Sequence, residues 1–215
     1  MKITTGILGC ALVAGLMAFA PSQSQAGVVG SDGVLYSPLN LKLTVTTQNS
    51  KGKFTKQNIT SKEVLKDLGF SSDVVLTISA DTGNVVVVNK KSGAIIEDLT
   101  ATNIMSVIPT EILNNTSKTN NNGQFTYDST GLVEVSFESV DSFFDLFGSY
   151  TGSIKASKAD KNGGQNVTTK ADSKDLNGNG DFAGVSDGET VVTGSSSVKG
   201  NGKVEAGSIL PPSNN

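Results

Sequence analysis

Val74-Val75-Leu76-Thr77-Ile78, Asp81-Thr82-Gly83-Asn84, Val85-Val86-Val87-Val88, Lys90-Lys91-Ser92-Gly93 and Ala94-Ile95-Ile96 stand in this order between residues 74 and 96. Short β-branched runs alternate with turns that contain glycine. Such runs are too short for helices, and the turns between them suit hairpins. The stretch therefore predicts a three-stranded antiparallel meander, and it sets the fold class for the rest of the chain.

Working outward, Leu39, Leu41, Leu43 and Val45 alternate with Asn40, Lys42, Thr44 and Thr46. Strict period two predicts a strand with one buried face. Thr60-Ser61-Lys62-Glu63 has the spacing of a capping box, and Gly69 stands where a short helix would end. Val133, Val135 and Phe137 alternate with Glu134, Ser136 and Glu138, which predicts another strand.

Other segments are less regular. Pro109 interrupts the apolar residues of 103–114, which predicts a broken helix, followed by an Asn-dense loop at 114–123. Phe143 and Phe147 are four apart, as one face of a short helix packed on the sheet requires. Lys, Asp, Asn and Gly dominate 157–188, which predicts a long polar loop or an extended hairpin. Thr190 to Val204 is β-prone and is expected to turn at Asn201-Gly202. The whole predicts a mainly β fold, an antiparallel sandwich or an up-and-down barrel, with one or two short helices.

The start of the chain carries Lys2, an apolar run from Ile7 to Ala20, and Ser24-Gln25-Ala26. This is the three-part pattern of a secretory signal peptide, 1–26, cut after Ala26. The run falls short of the ~20 residues that span a bilayer. A single β-rich domain, 27–215, then remains, with a frayed tail at Pro211-Pro212. The expected location is secreted or periplasmic, with no transmembrane segment after cleavage.

Composition excludes several chemistries. The 215 residues include no His, no Trp and no Arg. Cys10, the one cysteine, leaves with the signal. Ser-His-Asp and Cys-His catalysis therefore lack a base, and zinc loses its favoured ligands. With Lys2 gone, 16 Lys face 20 acids, a balance unsuited to nucleic acid.

One constellation points to a metal. Asp175, Asn177, Asn179 and Asp181, with Gly180 at the sixth position, match the start of a calcium loop. Ser186 stands where such a loop needs its bidentate Glu, and an Asn-Gly turn explains the same residues. Ca2+ is the only cofactor suggested. Glu134 and Glu138 share one strand face, and at ~3.4 Å per residue they lie roughly 13–14 Å apart. That is too far for a glycosidase pair.

The expectation is an exported, non-catalytic β-domain with a binding or structural role, in contact with an envelope or extracellular matrix component. The alternatives are a barrel that binds a small apolar ligand and a hydrolase using carboxylates from separate strands.

Overall fold

The computed structural model describes residues 27–183 and 188–205. The expected leader, its cleavage site, Ser186 and the C-terminal tail lie outside them. Eleven strands and one helix, α1, are present among the described residues. In chain order they are β1 (Val28–Val29), β2 (Leu35–Asn49), β3 (Phe54–Thr60), α1 (Ser61–Asp67), β4 (Val74–Ser79), β5 (Val85–Asn89) and β6 (Ile95–Asp98). Then follow β7 (Met105–Thr119), β8 (Phe125–Glu138), β9 (Phe143–Ala156), β10 (Gly164–Asp181) and β11 (Gly188–Glu205).

All ten ladders are antiparallel. The order is β6-β5-β4-β2-β11-β10-β9-β8-β7, with β1 and β3 also paired to β2. The fold is thus mainly β and antiparallel, as expected, and the sheet is open. It nevertheless curls. Val85 and Val87 of β5 share one apolar cluster with Met105 and Val107 of β7. The same cluster takes in Leu39, Leu41 and Leu43 of β2 and Val133, Val135 and Phe137 of β8.

A second apolar cluster lies further along the inner face, with Leu35, Tyr127, Ile154, Val167 and Val204. Ser37, Ser129 and Thr169 occupy the positions between the two clusters on β2, β8 and β10. Burial of a hydroxyl calls for a partner, and two of the three have one. Ser37 and Thr169 hydroxyls meet at 2.7 Å, and Thr169 Oγ1 donates to the Gly200 carbonyl at 3.2 Å.

Helix α1 has the expected start. Thr60 Oγ1 accepts from the Lys62 amide, and Glu63 accepts from the Thr60 amide at 3.1 Å. Gly69, at φ +79°, ends it in the left-handed region.

Two segments differ from expectation, and a third takes one of its two expected forms. The stretch 103–114 enters β7 and continues as a strand to Thr119, replacing both the broken helix and most of the Asn-dense loop. Pro109 is tolerated because β7 is an edge strand, and a register shift follows it. Phe143 to Tyr150 is also strand, within β9. Positions four apart lie on one face of a strand as well as of a helix.

The third is the polar segment 157–188. Most of it is β10, the outgoing arm of a long hairpin with β11, so the extended-hairpin expectation holds and the long polar loop does not. Within β10, Gly178 and Gly180 serve close approach between strands, whereas Gly163, at φ +78°, belongs to the turn before it. A Cβ at Gly178 would stand 2.0 Å from the Asp145 carbonyl oxygen. Asn201-Gly202 likewise does not turn. Gly202 pairs with Val167 in mid-strand, and a Cβ there would stand 2.7 Å from Leu35 Cδ1.

Gly178→Ala is therefore expected to force β9 and β10 apart. The expected cost is about 1–3 kcal/mol, as for an overpacked interior. Urea unfolding of the purified variant checks this, and an unchanged midpoint would show that the two strands yield freely.

Candidate functional site

A groove of about 690 Å³ opens where β8, β9 and β10 meet near the β8–β9 turn. Its shape follows from how that turn is held. Asp67, the last residue of α1, accepts from Ser139 Oγ at 2.5 Å and from Ser142 Oγ at 3.0 Å. Ser142 Oγ in turn accepts from the Ala183 amide at 2.9 Å. A carboxylate at a helix C-terminus is disfavoured by the helix dipole. Two hydroxyl donors offset that cost and fix the turn to the helix.

Below the groove, Phe137 and Phe144 stack with ring centroids 5.1 Å apart, and Phe182 lies 6.5 Å from Phe137. This aromatic layer belongs to the core. The opposite face of the same strands lines the groove. Residues paired across antiparallel strands share a face. Glu138 pairs with Phe143, and Phe143 with Asp181. Ser136 pairs with Asp145, and Asp145 with Asn179. Glu134 pairs with Phe147. The result is a lattice of carboxylates and aromatic rings. Phe143 and Phe147 are 49% and 53% exposed, and Val140 at the turn is 99% exposed. A second groove of about 510 Å³ shares Glu138 and Asp141 and runs on to Asp67.

The expected calcium ligands are placed differently from a loop. Asp175 lies at φ +54° beside a register shift. Asn177, Asn179 and Asp181 follow in extended strand. At ~3.3 Å per residue, Asp175 and Asp181 are roughly 20 Å apart. The strand does not bring the four oxygens together. Among the described residues, no three His, Cys, Asp or Glu side chains gather to hold a metal. Glu134 and Glu138 stand on one strand, four residues apart, as a strand face. Phe143 and Phe147 do not pack on the core as a helix face, whereas Phe144 and Tyr150, on the other face of β9, are buried in it. The interior of the curled sheet is packed with fully buried side chains such as Ile59, Val135, Leu146 and Val192.

Asp67, Ser139 and Ser142 have no local signature in the sequence, because the contact joins positions more than 70 residues apart. No family model, curated protein or solved structure matches this chain.

Further along the same face of β10, Asp172 stands 5% exposed between Lys170 and Lys174. Burial raises its carboxyl to about 6, against the lowering pull of Lys174 and Lys170. The folded value exceeds the unfolded value of ~3.9, so the folded state holds the proton more tightly. Stability from this group is present below pH ~4 and is lost as pH rises to about 6.

Two outcomes follow. Asp172→Asn is expected to be more stable than the parent at pH 7, by on the order of 2 kcal/mol, with the difference vanishing below pH 4. Denaturant titrations at the two pH values check this, and equal stability at pH 7 would contradict it. Thermal unfolding in millimolar calcium and in chelator is expected to give one midpoint. A calcium-dependent rise would mean that the native state binds the ion after all.

Proposed function

We propose that this chain is an exported, non-catalytic β-domain that binds at the cell surface, in the periplasm or outside the cell, through the groove face of β8, β9 and β10. The observation that carries this reading is the exposure of Phe143 and Phe147 between the carboxylates of Glu134, Asp145 and Glu138. Exposed aromatic rings on a rigid strand suit recognition, since little side-chain freedom is lost on contact. The apolar leader ending in Ser24-Gln25-Ala26 supports export. The lack of His, and of any Cys beyond Cys10, supports a binding role over a catalytic one.

Co-sedimentation of the purified chain with cell-envelope and matrix fractions tests the reading. The parent is expected to be retained, and Phe143→Ala with Phe147→Ala is expected to weaken retention about tenfold. Equal retention of parent and double variant, or none of either, would overturn it.

A further inference from the structure

We propose that the groove receives an extended ligand bearing several ammonium groups, with the buried carboxylate of Asp181 as its anchor. This rests on the groove face being a binding surface and names the chemistry of its ligand.

Asp181 is only 9% exposed. Its Oδ1 is shielded from solvent and has no hydrogen-bond partner, and the residue forms part of the groove wall. A carboxylate withdrawn from water without a partner is costly, and a cation that reaches it removes that cost. Along one cross-strand row, Asp181 stands beside Phe143, and Phe143 beside Glu138. The next row holds Asp145 and the row after it Glu134. Strand geometry sets these rows ~6.8 Å apart.

That spacing decides the ligand class. Calcium needs six to eight oxygens around one point. The carboxylates here are spread out, and no three of them gather among the described residues. Separate negative charges at regular intervals complement separate positive charges on a chain. The exposed ring of Phe143 in the groove, and that of Phe147 beside Glu134 at its edge, add cation–π attraction and cover the methylene segments between the charges. No lysine lines the groove among the described residues to compete for the acids. The volume of about 690 Å³ lies within the range of small-ligand sites. The ammonium groups can belong to a free linear oligoamine or to the lysines of a peptide.

Calorimetric titration of the purified chain with spermine, with oligolysine and with a neutral Gly-Ser peptide separates these cases. Spermine or oligolysine is expected to bind saturably and the neutral peptide not to bind. Tighter binding of spermine assigns the free amine, and tighter binding of oligolysine assigns the peptide. Asp181→Asn is expected to weaken the amine about tenfold. If that variant does not fold, the exposed Asp145→Asn is expected to weaken it about threefold. Parent-like amine binding by Asp181→Asn, or by Asp145→Asn in its place, overturns the proposal. So does equal binding of the neutral peptide, or no amine binding by the parent. If envelope fractions still retain the parent in that last case, the binding-surface reading stands and only its ligand class falls. Loss of both removes both.

Discussion

The backbone ladder along β2 is the constraint on which the rest of the molecule depends. One edge of this strand meets β11 over eleven paired residues, from Leu39 to Asn49. The other edge meets β3 and then β4. Among the described residues, the meander β4-β5-β6 is hydrogen-bonded to the long strands through it alone. Its inner residues Leu39, Leu41, Leu43 and Val45 enter the main core, and Leu35 enters the second. A one-residue slip of β2 would turn all of these to solvent, so burial fixes the register of every neighbour. From β2, two paths lead to the groove. One runs through β11, β10 and β9, and the other through β3 and α1. The Asp67 contacts with Ser139 and Ser142 join them. A few side-chain hydrogen bonds thus close a circuit that the open sheet leaves unclosed.

What was legible in the sequence follows from how many causes each pattern has. Alternation at 39–46 and at 133–138 has one cause, a strand with a buried face, and both segments are strands. The capping box at Thr60 is similarly specific. A four-residue spacing has two causes. Phe143 and Phe147 fit a helix face by period 3.6 and a strand face by period two. Only the burial of Phe144 and Leu146 between and beside them decides for the strand. Proline has two causes as well, since it breaks a helix but is allowed on a sheet edge. The sequence around Pro109 could not reveal that β7 has a neighbour on one side only.

Glycine explains the largest departure. Asn-Gly pairs mark turns when the chain needs positive φ, and they also mark places where two backbones approach closely. Gly178 and Gly202 are of the second kind. The composition of β10 hides the strand further, because its inner positions include Thr169 and Ser173 where an apolar residue is expected. These hydroxyls are buried with partners, Thr169 with Ser37 and Ser173 with Ser196. A strand built this way lacks the apolar signature of a core strand. Its hydroxyl partners stand 23 residues away for Ser173 and 132 for Thr169.

The same strand geometry separates chelation from recognition. A loop can fold four oxygens around one ion, because its backbone changes direction at each residue. A strand cannot. It sets alternate side chains at a fixed repeat on a nearly flat face. Asp175, Asn177, Asn179 and Asp181 therefore change meaning when they leave the loop for β10. Three of the four lose any common centre, and Asp181 gains neighbours from other strands, with Phe143 on β9 and beyond it Glu138 on β8. The acidic residues near the groove form rows in place of a cage. A cage selects a small ion by coordination number, whereas rows select a chain by the spacing of its charges. Aromatic rings between the rows strengthen that distinction, because a hydrated metal ion gains little from them and an alkylammonium chain gains on both its charge and its methylenes.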